Sequence, residues 1–102
     1  MVVNKKIQKR PVEKSGKRRF TFIFEAPAGK HVCVAGAFND WDPEQKVLEY
    51  KSSKGVYSGV IMLEPGTYEY KFVIDGEWVL DPKNPNFSHN DFGTLNSKLI
   101  VE

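Results

Sequence analysis

The sequence has 102 residues, of which 40% are apolar and 13% aromatic; that suits one domain with a modest core and argues against wholesale disorder. A single cysteine, Cys33, excludes an intramolecular disulfide and fits a reducing, cytoplasmic setting. No apolar run approaches the roughly 20 residues of a membrane span, and the basic start Met1–Lys6 has no apolar stretch behind it, so neither a membrane partner nor a signal peptide is expected.

The net charge of +2 divides unevenly, because residues 1–19 hold eight Lys/Arg and one acid while the remainder holds seven Lys and twelve acids. The body is therefore acidic and unsuited to nucleic acid. Residues 1–16, with Pro11 and Gly16 and no sustained period, read as a flexible basic arm, and residues 17–102 as the folded domain.

From there the dominant period is two. Phe20, Phe22 and Phe24 alternate with Arg19, Thr21, Ile23 and Glu25, the pattern of a strand with one face on a core. Pro27-Ala28-Gly29 breaks it. His31 to Ala37 forms a second strand, with Val32 and Val34 on one side. Asn39 to Gln45 is a polar loop. Short strands follow over Val47 to Tyr50 and Val56 to Leu63, and Pro65-Gly66 turns the chain. Thr67 to Ile74 is the clearest strand, placing Tyr68, Tyr70, Phe72 and Ile74 on one face. Asp75-Gly76 is a two-residue hairpin signal. Asp81 to Thr94 reads as a long loop, of a length that is often functional, and Asn96 to Val101 as the closing strand. Six or seven short strands without a helical segment predict an all-β sandwich, with a small barrel as the alternative.

The hairpin predicts a side-chain direction. In a two-residue turn Val73 lies opposite Trp78, and opposed residues share a face. Trp78 then stands beside Lys71 and Glu69, away from the Tyr68/Tyr70/Phe72/Ile74 face. Two readings stay open for it, an exposed binding surface or an anchor packed under the long loop. Trp41, in the loop Phe38-Asn39-Asp40-Trp41-Asp42-Pro43, reads by itself as a loop anchor, with Phe38 as the residue to bury there.

Sugar rings present C–H faces that stack on flat aromatics, and hydroxyls that need polar partners. Trp41 and Trp78 with the donors of Lys71, the hydroxyl of Thr94 and the amide of Asn96 make such a set. The run Val34-Ala35-Gly36-Ala37-Phe38-Asn39-Asp40-Trp41 resembles the G-x-F-N-x-W signature of glycogen-binding modules, the family 48 carbohydrate-binding modules. These occur in the β subunit of AMP-activated protein kinase and at the N-terminus of isoamylases and branching enzymes. Pro65-Gly66-Thr67-Tyr68-Glu69-Tyr70-Lys71-Phe72, Asp75-Gly76-Glu77-Trp78 with Asp81-Pro82, and Gly93-Thr94-Leu95-Asn96 extend the likeness in order over residues 18–101.

The resemblance implies an immunoglobulin-like (early set) antiparallel β-sandwich. It further implies non-catalytic binding of an α-1,4-glucan through Trp41, Lys71, Trp78, Thr94 and Asn96, with no cofactor. The family's late loop often projects a Leu just before Gly-Thr; Phe92 stands there instead and is expected to stack. Ser97 replaces an Asn common in the family, with one hydrogen bond expected to be lost. The resemblance also implies a role in targeting or regulating a partner enzyme. The alternative is a sandwich that docks a kinase or glycoside hydrolase with little sugar binding.

Other constellations carry less. His31 and His89 match no metal-ligand motif. Asp40, Asp42 and Glu44 lack both the calcium-loop pattern and the cleft of a glycosidase, and Cys33 has no adjacent base in sequence.

Overall fold

The computed structural model describes residues 16–102, so the expected arm over 1–16 lies, apart from Gly16, outside the described residues. Among the described residues eight strands follow in order: β1 Arg18–Glu25, β2 Val32–Gly36, β3 Glu49–Lys51, β4 Val56–Leu63, β5 Gly66–Ile74, β6 Glu77–Val79, β7 Phe87–His89 and β8 Leu95–Val101. One sheet has the order β1-β4-β3, and the other runs β2-β5-β8-β7 with β6 also paired to β5. Every strand pairing is antiparallel. This is the expected all-β sandwich.

The period-two pattern becomes the core. Phe22 from the first sheet meets Tyr70 and Phe72 from the second at ring-centroid distances of 5.1 and 6.3 Å. Val32, Val34, Leu48, Tyr57, Leu63 and Leu99 complete the buried cluster, with Phe20, Phe24 and Phe38 packed against it. Burial of each large side chain contributes on the order of 2 kcal/mol.

Two expectations change in detail. The stretch Asp81–Thr94 is not a single loop, because β7 pairs with β8 inside it, Ser88 opposite Asn96. Three residues carry too little periodicity to reveal such a strand. The stretch is also tied to the core: the buried Tyr70 hydroxyl donates to Asp81 Oδ2 (2.6 Å) and accepts from Asn84 Nδ2 (3.0 Å). Burial, reinforced by the Asp81 carboxylate, holds the Tyr70 hydroxyl well above the ordinary tyrosine range and hence neutral.

The second change concerns the outer face of the larger sheet. It is not simply polar, since Cys33, Ala35 and Val73 form a second buried cluster there, covered by Trp41.

Candidate functional site

The hairpin has the register expected from Asp75-Gly76. Ile74 lies opposite Glu77 and Val73 opposite Trp78, with Asp75 at φ 50° and Gly76 at φ 86°, the double left-handed conformation of a tight β-hairpin. Trp78 is thereby set on the outer face beside Lys71 and remains 42% exposed. It is not packed away beneath the late loop.

Trp41 reaches the same face from a loop whose every signature residue has a structural task. Gly36 runs so close to β5 that a Cβ would lie 2.6 Å from the Glu69 carbonyl oxygen and 2.8 Å from Tyr70 Cβ. Phe38 packs on the main core. The Asn39 side chain accepts from the Gly36 N–H (2.9 Å) and donates to the Val34 carbonyl (3.0 Å). The Trp41 N–H donates back to the Gly36 carbonyl at 2.9 Å. The loop closes with Asp40 and Trp41 both left-handed, at φ 56° and 59°, a costly state for a bulky side chain. That conformation lays the indole over Cys33, Ala35 and Val73. Trp41 is thus both the loop anchor and a wall of the cleft.

The third wall is the turn between β7 and β8. Phe92 is 89% exposed, a state with no account in packing. Asn90, which sequence reasoning did not single out, holds this turn. Its Oδ1 accepts from the N–H groups of Phe92 (2.9 Å) and Thr94 (3.1 Å), and its Nδ2 donates to Thr94 Oγ1 (2.7 Å) and Asn96 Oδ1 (3.1 Å). The Asn90–Gly93 turn, with Gly93 at φ 81°, was the available signal, since an Asn two residues before a backbone donor commonly forms such a turn.

The polar floor follows. Lys71 Nζ donates to Thr94 Oγ1 at 3.3 Å. With both lone pairs of Thr94 Oγ1 engaged by Lys71 and Asn90, its proton is free to point into the cleft. Asn96 is nearly buried, 6% exposed, with Nδ2 donating to Glu69 Oε1 at 2.9 Å. Glu69 was likewise absent from the sequence-derived set. Asn96 therefore braces Glu69 and Asn90 more than it faces solvent.

Ser97, beside it, points to the opposite side. It is fully buried and accepts from the Asp81 N–H at 2.9 Å. Its replacement of an Asn therefore costs the cleft no hydrogen bond. Trp41, Lys71, Trp78, Phe92, Thr94 and Asn96 line one open cleft of about 600 Å³, joined by Glu69 and Asn90.

A separate constellation lies at the start of β2. His31 Nε2 is 3.4 Å from Cys33 Sγ and 3.2–3.3 Å from the Glu44 carboxylate oxygens. The base that the sequence analysis did not assign to Cys33 is His31, two residues earlier and just before β2. Burial and the Glu44 charge push the Cys33 thiol up, away from nucleophilic thiolate.

A β-sandwich bearing an open, aromatic-walled cleft with a polar floor defines a class of site, that of a binding module for a flat-faced, hydroxyl-rich ligand. The chain belongs to the family described as the glycogen recognition site of AMP-activated protein kinase, which it matches over residues 16–102. It is 31% identical over 91 residues to the mouse 5'-AMP-activated protein kinase subunit beta-2, covering 89% of this chain and 32% of that one. It is 38% identical over 74 residues to the chloroplastic Protein PTST homolog 2 of Arabidopsis thaliana, covering 72% and 13%. Among solved structures, the maltogenic amylase from S. marinus superposes with a TM-score of 0.70 at 28% identity, covering 85% of this chain and 14% of that one. The chain thus spans about a third or less of these relatives.

Proposed function

We propose that the chain binds an α-1,4-glucan, without chemistry of its own, through Trp41, Trp78 and Phe92 as stacking surfaces and Lys71, Thr94 and Asn96 as polar partners. Asn96 acts through the residues it braces. The observation that carries the reading is the exposure of Trp78 and Phe92 on either side of hydrogen-bonding groups that the fold holds in place. Three aromatic surfaces on separate elements suit a curved chain of sugar rings better than a single plane would. The family description supports glycogen as the polymer. We extend the reading to targeting: the relatives are longer chains, and this domain would bring a partner enzyme or kinase to the polysaccharide.

Titration calorimetry with β-cyclodextrin and glycogen tests it. Trp78→Ala is expected to weaken binding by about 2 kcal/mol, roughly thirtyfold, as for a central aromatic anchor, with unchanged thermal stability because the ring is half exposed. Absence of binding to either ligand at millimolar concentration would remove the glucan reading and leave the docking alternative.

A further inference from the structure

We infer that His31, Cys33 and Glu44 form a three-ligand site for a borderline-soft divalent cation, Zn2+ in the first instance. The site is independent of the glucan reading. The three ligand atoms lie within 4.8 Å of one another. Zinc bonds of about 2.3 Å to sulfur and about 2.0–2.1 Å to nitrogen and oxygen, set at tetrahedral angles, place sulfur about 3.5 Å from nitrogen and nitrogen about 3.3 Å from oxygen. The observed separations are 3.4 Å from Sγ to Nε2 and 3.2–3.3 Å from Nε2 to the Glu44 oxygens. An ion near the centre of this triangle touches all three ligands after at most a small swing of the exposed Glu44 side chain. The His31 and Glu44 side chains are exposed while Cys33 is buried, so a fourth ligand would come from solvent on the side of the first two. Thiolate, imidazole and carboxylate together select zinc-like ions over calcium or magnesium, which take oxygen alone. On binding, the Cys33 proton leaves to solvent as the sulfur–metal bond forms.

The ligands are also held in advance. His31 is fixed at both backbone groups, its N–H donating to Asp75 Oδ1 (2.9 Å) and its carbonyl accepting from the Asp75 N–H (2.8 Å). Cys33 is the second residue of β2, paired with Val73 on one side and bridged to Val47 on the other. Glu44 lies in a 3-10 turn, Pro43–Gln45, capped by Asp42, whose Oδ1 accepts from the Glu44 N–H at 3.0 Å. The ion would therefore tie β2 to the segment that carries Trp41.

The test uses untagged protein stripped with a chelator, then titrated with Zn2+ by calorimetry and with Co2+ by absorbance. One ion per chain, a rise in melting temperature, and a cobalt–thiolate charge-transfer band are expected. His31→Ala and Glu44→Gln, both at exposed side chains that leave the core intact, should each weaken Zn2+ binding at least roughly tenfold. Cys33→Ala should abolish the thiolate band. Should that buried variant fail to fold, the two exposed variants decide the matter. The proposal is overturned if the wild-type chain binds no Zn2+ at micromolar concentration, if Co2+ gives no thiolate band, or if both exposed variants bind Zn2+ as the wild type does.

Discussion

Asn90→Ala removes the four side-chain hydrogen bonds that hold the turn bearing Phe92 and Thr94. Neutral hydrogen bonds contribute about 0.5–1.5 kcal/mol net, and exposed ones lie at the low end. Four at that level total about 2 kcal/mol of local order. The turn does not vanish, because the Asn90 N–H still donates to the Thr94 carbonyl (2.9 Å) and the Gly93 N–H to the Asn90 carbonyl (3.2 Å). A ligand that needs Phe92 and Thr94 in place must then supply the lost ordering energy. Affinity for β-cyclodextrin should fall about thirtyfold. The core is untouched, so the midpoint of denaturant unfolding should move by much less than the full 2 kcal/mol. Calorimetry and a urea titration on the same preparations separate the two effects. Asn90→Asp, which keeps the acceptors for the Phe92 and Thr94 N–H groups, should retain more affinity than Asn90→Ala. If Asn90→Ala binds within about threefold of wild type, the order of this turn contributes nothing to recognition, and Phe92 is not a stacking surface.

Trp41→Ala should differ from Trp78→Ala by lowering both binding and stability, the latter by about 1–2 kcal/mol, since its ring covers Cys33, Ala35 and Val73; paired calorimetric and urea titrations compare the two variants. Gly36→Ala should destabilise by about 3 kcal/mol or more in urea, because the new methyl would meet the Glu69 carbonyl oxygen at 2.6 Å and backbone cannot yield as a side-chain end can. The Tyr70 hydroxyl sets an alkaline limit. Its folded-state value is raised by burial, so above about pH 10 the unfolded chain releases a proton that the native chain retains, and stability falls by about 1.4 kcal/mol per pH unit until the folded group itself ionises. Below the unfolded value this contribution is fully present. Tyr70→Phe should lose that share of the alkaline slope, read as the difference between the two proteins' urea midpoints from pH 9 to 12.

What was legible in the sequence was what local rules govern. Alternation of Phe20, Phe22 and Phe24 gave a core face, and the two-residue turn at Asp75-Gly76 fixed the face of Trp78 without any tertiary knowledge. What escaped depends on how the chain folds back on itself. Asn90 carries a local turn signal, but its tie to Asn96 needs β7 to pair with β8. The apolar cluster under Trp41 joins β2 to β5, and neither strand alone reveals it. Ser97 could be judged only once β8 was known to turn it toward Asp81. His31 and Cys33 lie two residues apart in sequence, yet Glu44 reaches them only because the intervening loop folds back over β2.

The topology explains why the cleft forms where it does. On one side β5 pairs with β2. On the other it pairs first with β8, as far as Tyr70 opposite Ser97, and then with β6, from Phe72 opposite Val79. Lys71 lies at the seam where one neighbour hands over to the next. After β6 the chain crosses to the far edge of the sheet as β7 and comes back beside β5 only at β8, and the Asn90–Thr94 turn that joins β7 to β8 lies over that seam. Trp78 on β6 and Asn96 on β8 therefore flank Lys71 from two strands, while the strained Asp40–Trp41 bend closes the side of β2. The three aromatic walls consequently differ in rigidity. Trp78 stands on a paired strand, Trp41 on a bend locked by Gly36 and Asn39, and Phe92 on a turn held mainly by Asn90. Substitutions at the first two should act through lost contact area. Those at Asn90 should act through order, and tightening that turn is the route by which this cleft's affinity can be raised without touching a stacking surface.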